Sequence, residues 1–309
     1  MGGVFGKFPH PRKRLKNTIK NEETFTMSSA NFEIFADGFT FLEGPRWRDG
    51  LLWVSDVNGK KVYTLAPDGS RTVMAEVPDR PSGIGFLPDD TPIVVSMRDR
   101  SLKRIENGQL VLHTDVSALV RGEINDMVID KKGNAYVGSM GYDLFAGEDF
   151  KTGALVLVTA DGKAREVADE LHFPNGPVVT PDGKTLVVAE SWGKRLSAFT
   201  IEEDGTLSGR RTFADLGDYT PDGITLDQEG CVWLAAFAND CFVRVKDGGQ
   251  ITDVLELPNR RAVACTLGGE DMKTLYCMTF DGKMEDIGKG KKGSQVETIR
   301  VDVPGAGSP

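Results

Sequence analysis

Histidine is nearly absent from this 309-residue chain, which holds only His10, His113 and His172 and no HExxH motif. Cysteine is scarce too: Cys231, Cys241, Cys265 and Cys277 all lie late in the chain, none in CxxC spacing, which excludes a zinc-thiolate finger and reads as free, buried thiols. No stretch approaches the ~18 consecutive apolar residues of a membrane span, and no apolar run of the secretory type opens the chain. Helical periodicity is missing beyond about two turns, Asp115 to Val120 being the best short candidate. A GxSxG elbow, a phosphate-cradling GxxxxGK[ST] loop and a dinucleotide fingerprint are all lacking, which removes serine-hydrolase, nucleotide-hydrolase and dinucleotide chemistry. Positive charge is in deficit: 37 Lys and Arg against 46 Asp and Glu leave a net charge of −9. Nucleic acids and anionic membranes are therefore not expected partners, since both need clustered cations.

What the chain does have is glycine, 36 residues of it, with enough apolar side chains (39%) to fill a sizeable core. The first thirty residues differ from the rest, with six bases (Lys7, Arg12, Lys13, Arg14, Lys16, Lys20) against Glu22 and Glu23. They read as a basic, disordered leader upstream of a second start at Met27, with an organelle-targeting peptide as the alternative.

Beyond the leader the sequence repeats. Six segments begin on a small or polar residue, run through a short apolar stretch and a turn, and enter a second apolar strand. They start at Glu43, Ser82, Asn125, Asn175, Asp222 and Cys265, at spacings of 39, 43, 50, 47 and 43 residues, the longest gap holding an insertion around Asp143 to Lys151. Further strand-like runs, such as Lys61 to Leu65, Ser101 to Ile105, Arg195 to Phe199 and Cys241 to Val245, bring each unit to about four strands, the arithmetic of a propeller blade. The fold class expected is all-β, a six-bladed β-propeller over residues 31–303 with a short tail at 304–309. The unmatched segments Asn31 to Asp37 and Gln295 to Val303 should pair and close the ring.

A closed propeller gathers equivalent positions around one axis, so the six unit starts should converge at the channel mouth. Glu43, Asn125, Asn175 and Asp222 would bring two carboxylates and two amides into a confined space, raising at least one carboxyl pKa unless a divalent cation is present. Hard oxygen donors favour calcium, magnesium or manganese over zinc, Cys265 being a soft neighbour. Asn175-Gly176 and Asp222-Gly223 taken singly read as hairpin turns; their phase ahead of the first apolar strand argues for a site instead. His172, three residues before Asn175, is a candidate proton shuttle, and Asp126 a candidate support for Asn125 or a loop amide. Met140, Tyr142, Trp192, Tyr219 and Phe237 are candidates to wall the pocket, set against ordinary packing between blades.

At these residues the chain resembles the family of senescence marker protein (regucalcin), gluconolactonase and luciferin-regenerating enzyme. The resemblance rests on Glu-Gly-Pro with Trp at 43 to 47, Asn-Asp at 125 to 126, Phe-Pro-Asn-Gly at 173 to 176 and Pro-Asp-Gly at 221 to 223. It implies a six-bladed propeller of metal-dependent lactonases with one divalent cation in the channel, calcium foremost and zinc, magnesium or manganese as alternatives. Glu43, Asn175 and Asp222 match the ligands, and Asn125 a residue touching substrate or metal. One departure stands out: the sugar-lactone members carry an Arg two residues before the position of Asn125, where this chain has Glu123. A negative charge there should disfavour anionic substrates, and Arg98, within Met97-Arg98-Asp99-Arg100, is a candidate cation from the next blade.

The function expected is a cytoplasmic hydrolase opening a lactone or related ester, the cation polarising the carbonyl and Asp222 taking a proton from the attacking water. The alternatives are an organophosphate or other ester hydrolase on the same site, and a non-catalytic metal-binding propeller that docks a protein partner. Oligomeric state is open.

Overall fold

The computed structural model describes residues 31–144 and 146–307. The expectation of a leader at 1–30 lies outside the described residues. Six four-stranded antiparallel sheets follow one another around an axis as the blades of a propeller. The innermost strands of blades 1 to 6 are Leu42–Arg48, Pro81–Phe86, Ile124–Ile129, Pro174–Val179, Pro221–Leu226 and Arg261–Gly268. The four strand runs singled out in the sequence are all strands, at Lys61–Leu65, Ser101–Glu106, Arg195–Ile201 and Cys241–Val245. Asp115 instead ends the strand Gln109–Asp115, and the residues after it form a turn in which the Leu119 N–H donates to the Val116 carbonyl.

Burial falls from the axis outwards. Second strands such as Ala135–Ser139 and Val232–Ala236 are buried at every position, because neighbouring blades cover both faces. The outer strand Arg71–Glu76 exposes its first three residues. That gradient explains why the inner and second strands read as short continuous apolar runs, whereas outer ones mix charge with apolar residues. Turn chemistry agrees: Asn107 and Gly108, both at positive φ (52° and 76°), form a two-residue hairpin between Glu106 and Gln109.

The ring closes through blade 6, whose outermost strand is Glu33–Phe39 from the start of the described chain, paired antiparallel to Ser294–Arg300. Glu33 faces Thr298 and Phe39 faces Ser294, so the expected closure forms within a few residues of its expected bounds. Phe39 is buried against Tyr63, its ring 5.6 Å away edge-on. A chain beginning at Thr40 would lose that strand and that anchor. We expect it to melt about 10 °C or more below a chain beginning at Asn31, by circular dichroism. Equal melting temperatures would remove the closure argument. Residues 304–306 are also fastened down: Gly305 bridges Asp227, and Ala306 N–H donates to the Leu226 carbonyl.

One irregularity recurs in every blade and positions the site. Each innermost strand slips register by one residue near its start, between Glu43 and Arg46, Pro81 and Ile84, Ile124 and Met127, Pro174 and Pro177, Pro221 and Ile224, and Ala262 and Ala264. A bulge sets two residues against one and re-aims a side chain. Here it sits where Glu43, Ser82, Asn125, Asn175 and Asp222 stand. The next residue is glycine in four blades, which lets adjacent inner strands touch: a Cβ on Gly83 would lie 2.4 Å from the Met127 nitrogen, and one on Gly176 2.7 Å from that of Ile224.

Candidate active site

Glu43, Ser82, Asn125, Asn175 and Asp222 are all buried at the start of their inner strands. The amides are locked by a chain of hydrogen bonds across blades 2 to 4. Ser82 Oγ donates to Asn125 Oδ1 (3.0 Å), Asn125 Nδ2 to Asn175 Oδ1 (3.1 Å), and Asn175 Nδ2 to Ser191 Oγ (3.2 Å). Both amide oxygens keep a second lone pair. Ser191 was not anticipated from the sequence, because it follows a second strand and carries no motif.

The carboxyl groups are not balanced in this way. Burial pushes Asp222 up to about 8, the Asn175 amide pulling it back and the charge of Asp126 adding to it. Its Oδ1 is buried without a hydrogen-bond partner. Glu43 is pushed well above the usual carboxylate range by burial, then by the charges of Asp222 and Asp126, with the Gly44 N–H opposing. Two buried carboxyls that resist ionisation beside two fixed amide oxygens form a hard, unneutralised donor set, the chemistry that calcium or magnesium accepts. Among the described residues, no three or more of His, Cys, Asp and Glu group to hold a metal by themselves, so amide oxygens would have to complete any such shell.

Asp126 stands where four other blades have glycine. Its carboxylate receives the Arg46 guanidinium (3.2 Å) and the Met127 N–H (2.8 Å), and Arg46 also donates to the Met127 carbonyl. It thus holds a backbone amide, while no hydrogen bond joins it to the Asn125 side chain. Arg46 was not foreseen, because its partner lies two blades away.

The sixth position differs from expectation. The residue in phase with Ser82 and Asp222 is Val263, since Ala264 is the residue that meets Gly223. Cys265 lies two residues further on, buried with Trp233, Ala235 and Phe242 between blades, its thiol pushed up by burial and directed at the Trp233 carbonyl 3.7 Å away. The site is therefore open to polar chemistry on five sides and apolar on the sixth.

Glu123 and Arg98 meet at the rim. The Glu123 carboxylate lies 3.5 Å from Arg98 Nε and 3.8 Å from Nη1 of Arg80, a residue that sequence reasoning passed over. The negative charge expected to repel anions is thus enclosed by two guanidinium groups. His172 is half-buried: its backbone N–H donates to Glu190 (2.8 Å), and its ring packs edge-on to Phe150, with centroids 5.4 Å apart. Of the other candidates, Tyr142 and Trp192 are joined by a 2.8 Å hydrogen bond, and Phe237 lies under the Arg261 guanidinium. A cavity of about 50 Å³, lined in part by Trp47, Val128, Leu226 and Gly305, sits three to four residues further along the inner strands, about 10 Å from the site. It has room for little more than water and gathers no carboxylates.

Fold and site together define a six-bladed propeller with an acidic, amide-lined channel mouth. A family model described as the SMP-30/Gluconolactonase/LRE-like region matches residues 41–281, and the chain belongs to that family. The 6-deoxy-6-sulfogluconolactonase of Pseudomonas putida is 27% identical over 277 residues, covering 86% of this chain and 93% of its own. The regucalcin of Xenopus laevis is 25% identical over 271 residues, covering 84% and 90%. Among solved structures, a luciferin-regenerating enzyme superposes with a TM-score of 0.76 at 20% identity, covering 90% of this chain and 98% of its own. A calcium-binding regucalcin from Agrobacterium tumefaciens also gives 0.76, at 21% identity and 91% and 97% coverage.

Proposed function

We propose that the protein opens a lactone ring by adding water to its carbonyl at the channel mouth, with one divalent cation, calcium foremost, held by Glu43, Asn175 and Asp222 beside Asn125. The family and its lactonase relatives make the chain a lactonase-type ester hydrolase. The observation that carries the finer reading is the buried, unpartnered Oδ1 of Asp222 next to the fixed amide of Asn175. When bound, the cation would polarise the ester carbonyl and offset the charge that gathers on its oxygen. Asp222 takes the proton that water loses as it attacks, Glu43, on the other side of blade 6, supplies the second carboxylate that would balance the cation's charge, and Asn125, fixed by Ser82, orients the ring oxygen or carbonyl. Burial raises the Asp126 carboxyl above its ordinary value, and Arg46 opposes that rise while fixing the carboxylate in place.

A panel of lactones assayed with chelator-treated protein, and again with calcium, magnesium, manganese or zinc added one at a time, tests this. We expect turnover of at least one lactone, abolished by chelation and restored by calcium. Turnover that chelation leaves untouched would sink the cation assignment, and no turnover under any condition would sink the reading as a lactonase.

A further inference from the structure

The rim of the site over blades 3 and 4 is aromatic and tied down. The insertion after Ser139 is rooted beside the site, Met140 N–H donating to the Glu123 carbonyl and Gly141 N–H to that of Arg121. It carries Tyr142 and Phe150. Phe150 sits edge-on to both Tyr142 (centroids 5.7 Å) and His172 (5.4 Å), yet 48% of it is exposed. Trp192 follows Ser191, the residue that holds Asn175, and its indole N–H donates to the Tyr142 hydroxyl. Backbone hydrogen bonds from Ser191 to Phe173 and from Trp192 to His172 zip this platform to the strand that presents Asn175. Phe173 adopts a left-handed φ of 63°, a conformation an aromatic residue keeps only when its surroundings enforce it.

We propose that Phe150, His172 and Trp192, backed by the buried Tyr142, form a shelf for an apolar substituent on the lactone ring, so that the preferred substrates are alkyl- or aryl-substituted lactones rather than polyhydroxylated ones. This rests on the lactonase reading. A core packing role does not account for Phe150, which touches two rings and leaves half its surface to solvent at the mouth. Hydroxyl groups set against the ring faces of Phe150 and Trp192 would find no partner there, the indole N–H being already given to Tyr142, and would lose hydrogen bonds to water. Beside the root of the insertion, Arg98 Nε faces the Glu123 carboxylate 3.5 Å away, so the charged part of the rim is separate from the ring faces of the shelf.

The test separates binding from turnover. Unsubstituted, 6-propyl and 6-pentyl δ-lactams, which resist hydrolysis, are titrated calorimetrically into the full chain with calcium present. A fully buried methylene is worth about fourfold in affinity, and a half-exposed shelf about twofold. We expect affinity to rise about twofold per methylene, with an increasingly negative heat-capacity change. Phe150→Ala should flatten that rise, and Phe150→Leu should keep most of it. Matching assays with δ-valerolactone, δ-octanolactone and δ-decanolactone should show kcat/KM climbing in the same order. Flat affinity across the lactams, no lactam binding at all, or a slope unchanged in Phe150→Ala overturns the shelf. Hydrolysis without a chain-length slope would likewise remove the shelf and leave the lactonase reading standing. A lactam slope without hydrolysis of any lactone would do the reverse.

Discussion

Replacing Asp222 by Asn is expected to lower kcat by at least ~10²-fold on any lactone the protein hydrolyses, measured at calcium concentrations that saturate the variant. General-base assistance is typically ~10² to 10⁴-fold, about 3 to 5 kcal/mol of barrier at 1.36 kcal/mol per decade. Asn preserves the size of the side chain and an oxygen donor while removing the proton acceptor. A loss confined to calcium affinity would make Asp222 a ligand only. His172 would not readily replace it: its ring is packed against Phe150, and its backbone N–H serves Glu190. A kcat within a few-fold of wild type at saturating calcium would therefore require the proton to leave by another route.

The second large effect is on stability in chelator. Asp222 holds its proton to about pH 8 in the folded chain and only to about 4 when unfolded. Between those values the unfolded state has released a proton that the folded state keeps, so raising the pH favours unfolding. The stability tied to this group is complete below pH 4 and is lost as the pH climbs through 8. At 1.36 kcal/mol per pH unit, retaining this proton is worth on the order of a few kcal/mol, or several degrees in melting temperature. Wild-type protein in chelator should thus melt progressively lower from pH 5 to pH 8, and Asp222→Asn less steeply, the slope that remains belonging to Glu43, which burial also holds well above the usual carboxylate range. His113, which burial holds below its ordinary value, opposes this trend, but it is common to both proteins and drops out of the difference. Glu190, held near 2 mainly against its own burial by Arg195, the His172 N–H and Ser197, acts only at lower pH. Excess calcium should reverse the trend, because a cation binds the ionised pair and stabilises the fold most where protons compete least. Parallel melting curves for the two proteins across this range would show that Asp222 is not the group that titrates.

Five of the six channel positions could be read from the chain because five blades repeat one local instruction, a polar residue ahead of a short apolar strand, with glycine next to it in four of them. Glu43, Asn125, Asn175 and Asp222 announce themselves by phase, and their chemistry follows from their oxygens. Cys265 was misplaced because the bulge in blade 6 lies between Ala262 and Ala264, so the count to the channel ends two residues earlier, at Val263. Nothing local marks a bulge there, since Val263 is a typical strand residue.

By itself, then, the sequence determined the blade count, the closure by a strand from the far end of the chain, and the residue types at the mouth. These depend on spacing and on short apolar runs bounded by turns, which are properties of neighbouring residues. Only the tertiary structure decided which groups are neutralised. Arg46 reaches Asp126 from 80 residues away, and Arg80 reaches Glu123 from 43. Asp222 Oδ1 is left without a partner and Phe150 half-exposed at the rim. Charge compensation and burial are set by whatever stands within a few ångströms in space, and in a ring of blades those neighbours come from other repeats.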